Sequence, residues 1–266
     1  MNRINSLFSK LHRPALIGYL VAGDPDKEES LRLIETAIES GLDLLEIGIP
    51  HSDPIADGPV ITEAHGRALS SGMTLDGLFS LVCDLRSRSD IPVVLMTYFN
   101  PVYRRGVNTF YEEAKNSGVD GVLIVDLPPE EAGDVVKIAA ENDIMQIFLV
   151  TPTTDEKRLI NILSVSSGYC YIVSVQGVTG MQQSEPKSIE SLISRVKSRT
   201  KLPIAVGFGI NSPGQVRNYI NSGADAVIVG TPIVNIVKEN IGQDLLIHSK
   251  LREFIQSLAV ECRRDE

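Results

Sequence analysis

The sequence has little of what a metal centre or a disulfide framework needs. It holds three cysteines and four histidines in 266 residues. Cys83, Cys170 and Cys262 are odd in number and far apart, which suits a reducing compartment. His12, His51, His65 and His248 are equally dispersed, so no metal-ligand spacing forms. No apolar run approaches the ~18 residues that would cross a bilayer. Basic residues are short as well: 25 Lys and Arg stand against 34 Asp and Glu, for a net charge of −9. That field repels nucleic acid and anionic membranes, so neither is an expected partner, and the cytoplasm is the expected location. Any bound phosphate would need local backbone dipoles to overcome it. Linkers and low-complexity segments are also missing, so residues 1–266 are expected to form a single domain.

What is present suits a soluble core, with 43% hydrophobic and 22% charged residues. The first residues carry Arg3, Lys10 and Arg13 with serines and no acid, and Ile4, Leu7, Phe8 and Leu11 fall at helical spacing. This pattern opens organellar transit peptides, and it equally describes a short amphipathic helix docked on a fold. An apolar strand starting near Ala15 favours the docked helix.

A small device recurs along the chain. Ser40-Gly41-Leu42-Asp43, Ser117-Gly118-Val119-Asp120 and Ser222-Gly223-Ala224-Asp225 each close a helical stretch and lead into an apolar run. Those runs are Leu44 to Ile49, Gly121 to Val125 and Ala226 to Val229. Their separations are multiples of about 35 residues, the length of one βα unit. A second device places Pro92 before Val93 to Met96 and Pro203 before Ile204 to Val206, where a strand tolerates proline. Runs at Ala15 to Leu20, Met145 to Val150 and Tyr169 to Val173 bring the strands to eight. Helical patterns lie between them at Glu28 to Glu39, Leu75 to Arg88, Thr109 to Asn116, Glu130 to Glu141, Ile189 to Ser198 and Pro213 to Asn221. Doubly apolar strands alternating with helices predict a covered parallel sheet, either open and doubly wound or closed. Eight units in a chain of this length favour the closed (β/α)₈ TIM barrel.

A barrel of this kind carries its site at the C-terminal ends of the strands. The segment after the second strand is the richest in chemistry. Glu46 alternates with Leu44 and Gly48, which puts a carboxyl on an inward, apolar face. Burial raises such a carboxyl towards neutrality and suits it to proton transfer, although a salt bridge inside the barrel would use it structurally. Asp57 precedes Gly58-Pro59 and a helical run through Arg67, and taken alone it reads as a helix N-cap. Gly207-Phe208-Gly209-Ile210 and Gly230-Thr231-Pro232 follow strands seven and eight, where barrels commonly bind phosphate through backbone N–H groups and a helix N-terminus. The same glycines also make tight turns. Ser174 to Met181, with Gly177 and Gly180 around Thr179, reads as a closing loop or as a plain surface loop.

The whole segment from Glu46 to Pro59 resembles the signature of the tryptophan synthase α family, E-[LI]-G-[VI]-P-aromatic-S-D-P-[LVI]-A-D-G-P. Only the aromatic differs, and His51 stands there. The G-V-T-G at Gly177 to Gly180 is similar to the family's loop, as are Tyr19 to Pro25, Tyr98 to Pro101 and Asp126 to Pro128. Val175 and Gln176 depart from the loop residues common in the family. The resemblance implies a lyase that splits indole-3-glycerol phosphate into indole and glyceraldehyde-3-phosphate. It makes Glu46 the general acid/base and Asp57 the acceptor of the indole N–H. It puts Tyr171, Tyr19 and Thr179 beside the substrate and Gly180, Phe208, Gly209, Gly230 and Thr231 around the phosphate. No cofactor or metal is implied in this chain. The implied partner is a β subunit carrying pyridoxal phosphate in an α₂β₂ assembly, which receives the indole through a tunnel and faces Asp53, Pro54 and the segment Asn100 to Arg104.

Three other readings share parts of this pattern. A sugar-phosphate epimerase or isomerase would need the Gly207 and Gly230 motifs but not the Glu46 to Pro59 signature. A free-standing indole-releasing lyase would need everything but the β subunit. A degenerate barrel that only regulates a β subunit would have no use for both Glu46 and Asp57.

Overall fold

The computed structural model describes residues 2–173, 186–207 and 209–262. Eight parallel strands close in sequence order: β1 Ala15–Val21, β2 Leu44–Gly48, β3 Val93–Thr97, β4 Gly121–Ile124, β5 Met145–Val150, β6 Cys170–Val173, β7 Ile204–Gly207 and β8 Ala226–Val229. β1 pairs with β2, Tyr19 opposite Glu46, and also with β8, Ala15 opposite Ala226. That second pairing removes both sheet edges and excludes the open doubly wound sheet.

Alternate residues of each strand do different work. Ile17, Leu44, Val94, Leu123, Ile147, Tyr169, Tyr171, Ala205 and Ile228 fill the barrel interior. Their neighbours Leu16, Leu45, Val93, Val122, Phe148, Ile172, Val206 and Val227 pack outward in a second core beneath the helices. This is why the strands read as continuous apolar runs.

The helices are α1 Arg3–Lys10, α2 Lys27–Glu39, α3 Pro59–Ser70, α4 Leu75–Arg86, α5 Phe99–Arg105, α6 Val107–Ser117, α7 Gly133–Glu141, α8 Glu156–Val165, α9 Pro186–Lys197, α10 Pro213–Asn221, α11 Thr231–Glu239 and α12 Asp244–Cys262. Three of them, α5, α8 and α12, go beyond the sequence expectation. Pro101 sits in the first turn of α5, where its missing N–H has no helical partner to lose. Asp155 starts α8 by accepting the Arg158 N–H at 2.8 Å. α12 buries Ile247, Leu251, Ile255, Leu258 and Cys262 at helical spacing, packed on α2, α10 and α11. α7 begins at Gly133 rather than Glu130, because the carbonyls of Pro128 and Pro129 take the Glu131 and Ala132 N–H groups in a turn.

The basic amphipathic segment is a docked helix. Asn2 caps α1 by accepting the Ile4 N–H at 3.0 Å, and its amide donates to the Asp120 and Asp143 carbonyls at 2.9 Å. Ile4, Leu7, Phe8 and Leu11 pack into the barrel interior core, with the Phe8 ring 6.1 Å from Tyr169. Full burial of Ile4 alone stabilises this docking by about 1.5–3 kcal/mol.

The recurring Gly-x-Asp device explains itself here. Gly41, Gly118 and Gly223 take φ of 116°, 93° and 97°, which lets α2, α6 and α10 end sharply. The aspartates that follow accept backbone N–H groups at the start of a neighbouring strand: Asp43 from Leu16, Asp120 from Val93 and Asp225 from Ile204. Each also holds a cation: Arg13 for Asp43, Arg3 and Arg86 for Asp120, Lys197 for Asp225. The N-terminal face is stitched by the same bond three times.

Candidate active site

Glu46 projects inward from β2 and is 1% exposed. Its Oε1 accepts the Tyr169 hydroxyl at 2.5 Å, and Oε2 has no hydrogen-bond partner among the described residues. The salt-bridge reading therefore gives way, since the bond Glu46 makes is with a neutral phenol. Burial pushes the carboxyl up to about 7, against the opposing pull of the Tyr169 bond. Burial and the nearby Glu46 charge hold the Tyr169 phenol well above its ordinary value, so it remains a donor. A carboxyl poised near neutrality both gives and takes protons.

Asp57 lies at the end of the loop after β2, and it does not cap α3. The N-cap is Gly58, without a side-chain cap bond. Asp57 instead points its carboxylate at other side chains. Oδ2 accepts the Tyr98 hydroxyl at 2.8 Å and lies 3.5 Å from His65 Nε2. Tyr98 also accepts the Ala56 N–H at 3.0 Å. Burial and the Asp57 charge push the Tyr98 phenol up, which keeps its proton available for donation. The His51 ring stacks on Tyr98 with centroids 5.1 Å apart at 27°. An imidazole thus fills the place where the signature usually has an aromatic ring.

Glu46 and Asp57 line one cavity of about 300 Å³, together with Tyr19, Tyr171, Gly209, Gly230 and Thr231. Ile61, Met96, Ile210 and Ile228 give it apolar wall. Two other cavities reach about 490 Å³, but one opens at the N-terminal face beside Arg13 and the other between the ends of β4 and β5. Neither is lined by a buried carboxylate.

The glycines around the site have separate reasons. A Cβ on Gly48 would overlap the Tyr19 hydroxyl, and one on Gly207 would overlap that of Tyr171. Gly207 therefore makes room for a phenol. Gly209, with φ 69°, holds a left-handed turn at the cavity edge. Gly230 is the N-cap of α11, and Gly230, Thr231 and Pro232 line the cavity, so the N-terminal end of that helix, the end with a positive dipole, borders it. No Lys or Arg is among the described residues that line it. An anion there would be held by backbone.

Thr179, Gly180 and Phe208, with Val175 and Gln176, lie outside the described residues. Asp53 and Asn100 are exposed, while Pro54 is buried and its neighbour Ile55 is 84% exposed. Among the described residues no group of three or more His, Cys, Asp or Glu could hold a metal ion, and no helix is long and apolar enough to cross a membrane.

The family model described as tryptophan synthase alpha chain matches residues 6–263. The chain belongs to the tryptophan synthase alpha chain family. A tryptophan synthase alpha chain from Methanoregula boonei is 46% identical over 255 residues, covering 96% of each chain. One from Pyrococcus abyssi is 43% identical over 245 residues, 92% of this chain and 97% of that one. Among solved structures, the alpha subunit of Legionella pneumophila superposes with a TM-score of 0.91 at 34% identity, covering 98% of both chains. The tryptophan synthase α₂β₂ complex of Pyrococcus furiosus, described as mutually activating, gives a TM-score of 0.85 at 41% identity, with 93% and 99% coverage. The lyase activity implied by the sequence stands with the family.

Three residues of this alpha chain site escaped the sequence reading as site residues. Tyr169 was legible in principle, because it stands immediately before β6 and alternates with the inward Tyr171. Tyr98 lies one position past β3, among the strand ends that carry function. His65 had no local signal, since its link to Asp57 arises only when α3 folds back beside the loop that precedes it.

Proposed function

We propose that Glu46 is the acid and base, and Asp57 the charge-holding carboxylate, in the cleavage of indole-3-glycerol phosphate to indole and glyceraldehyde-3-phosphate. The observation that carries this reading is a buried carboxyl titrating at about 7, with one oxygen unpartnered among the described residues, in a cavity that Asp57 also lines.

The steps close on these groups. Glu46 gives its proton to C3 of the indole ring, and the positive charge spreads to the ring N–H, which Asp57 accepts. The bond from C3 to the glycerol chain then breaks, and its electron pair restores the aromatic ring. The Glu46 carboxylate takes the proton of the adjacent hydroxyl as that carbon becomes the aldehyde. Glu46 ends as it began. Tyr19 and Tyr171 are assigned to the substrate wall together with Thr179, and Gly209, Gly230 and Thr231, with Gly180 and Phe208, to the phosphate.

Every proton and electron pair in this scheme belongs to the substrate or to Glu46, so the chain needs no cofactor of its own. Pyridoxal phosphate is assigned to a β subunit, which would bind as α₂β₂ against the face containing Asp53, Pro54 and Asn100 and receive the indole. The chain is read as one domain working in the cytoplasm.

The test is indole release from indole-3-glycerol phosphate by purified protein, alone and with a β subunit, for wild type and Glu46→Gln. Slow release, strong activation by β and loss in the variant are expected. Fast release without β would favour a free-standing lyase, and altered β turnover without any indole release would favour a regulator.

A further inference from the structure

His65 is a buried imidazole on α3 whose partners fix where its proton sits. Its Nδ1 receives the backbone N–H of His51 at 3.3 Å, so Nδ1 is an acceptor. A neutral imidazole has one acceptor and one donor nitrogen, which places the proton on Nε2. That Nε2 has no hydrogen-bond partner among the described residues and faces Asp57 Oδ2 at 3.5 Å. The two side chains are 3% and 6% exposed, so water does not readily stand in for a partner.

We propose that His65 is a positioning residue for Asp57, donating from Nε2 to Oδ2 when the carboxylate takes up the charge of the substrate. The present 3.5 Å is too long for a full hydrogen bond, and such bonds commonly tighten only in the reacting complex. Among the described residues the other donor at Oδ2 is Tyr98, at 2.8 Å. His51 ties both sides together, with its N–H on His65 and its ring stacked on Tyr98. Aligned from two directions, the carboxylate keeps one orientation towards the cavity.

This inference rests on the proposed role of Asp57, and the experiment separates the two. His65→Gln puts an amide nitrogen near the position of Nε2. His65→Asn keeps a polar atom near Nδ1 for the His51 N–H and removes the donor towards Asp57. Each is made in the wild-type and in the Asp57→Asn background, folding is checked by thermal melting, and kcat and KM for indole release are measured. His65→Asn is expected to lower kcat about ten- to a hundred-fold with KM nearly unchanged, the size of effect that misplacing a catalytic group produces. His65→Gln should recover most of that loss. In the Asp57→Asn background both substitutions should be nearly silent. Equal activity of the Gln and Asn variants would overturn the proposal, as would an undiminished His65 effect when Asp57 is already Asn. If Asp57→Asn itself leaves kcat intact, the reading of Asp57 fails and this proposal fails with it.

Discussion

Asp120, at the N-terminal end of the barrel, is 3% exposed and commits both its oxygens. Oδ1 takes Arg3 at 3.1 Å, and Oδ2 takes Arg86 and the Val93 N–H, each at 2.9 Å. Glu46, towards the other end, is 1% exposed and has one neutral donor on Oε1 and none on Oε2 among the described residues. Both carboxyls are buried about equally, so burial does not distinguish them. Their partners do. The oxygens of Asp120 are taken up by two guanidinium groups and a backbone N–H, which suits a structural role, whereas a buried carboxyl held by a single phenol beside a cavity can exchange its proton. Asp43 and Asp225 repeat the paired arrangement at the N-terminal face, whereas His65 Nε2, near the cavity, shares with Glu46 Oε2 the lack of a hydrogen-bond partner among the described residues.

The largest break in this comparison should come from Glu46→Gln. It is expected to lower kcat by about 10²–10⁴, the usual weight of a positioned proton donor. It should also stabilise the protein. The folded carboxyl titrates at about 7 against an ordinary 4.5, so the folded state holds a proton that the unfolded chain has already released. Stability from this group therefore falls as pH rises from about 4.5 to 7, by on the order of 3 kcal/mol in all. Denaturant unfolding should find the variant more stable than wild type at pH 8 and no better at pH 4.

Asp120→Asn should do the reverse. It leaves Arg86 without its full counter-charge and is expected to cost about 3–5 kcal/mol of stability. Indole release per folded molecule should be unchanged. A fall in kcat at full folding would mean that the two ends are coupled.

The pH profile sharpens the same point with a smaller effect. With Glu46 acting first as an acid, kcat/KM should decline above about 7, tenfold per pH unit, and the limb should vanish in Glu46→Gln. A profile flat to pH 9 would assign the first proton elsewhere. Least of all, Asp53→Ala should move stability by no more than about 0.5 kcal/mol, since the residue is exposed, while weakening activation by a β subunit. Unchanged activation would remove Asp53 from the partner face.

Much of this was open to a reader of the chain. Gly118 with Asp120 and its two repeats marked strand starts, because a glycine readily takes the positive φ that closes a helix and an apolar run follows the aspartate. Strand periodicity placed Glu46 inward, and the family resemblance put Tyr171 beside the substrate. The helix α12 carries its own apolar spacing, and α8 its Asp155 cap, so both have a local signal in the sequence. Asp57 was different. Its position before Gly58-Pro59 is that of a cap, and only the approach of Tyr98 from the next strand end shows the carboxylate turned away from the helix.

The sequence by itself therefore determined the alternating βα units, the inward face that carries Glu46 and the glycines after the seventh and eighth strands, because each follows from a local period or a residue type, while the pairing of β1 with β8 decided that the sheet closes. The tertiary structure alone decided which carboxylate is paired, that Tyr169 donates to Glu46, and that His65 and Tyr98 converge on Asp57. Those facts depend on atoms distant in the chain meeting within hydrogen-bonding reach, and on the exclusion of water around them, which no local pattern encodes.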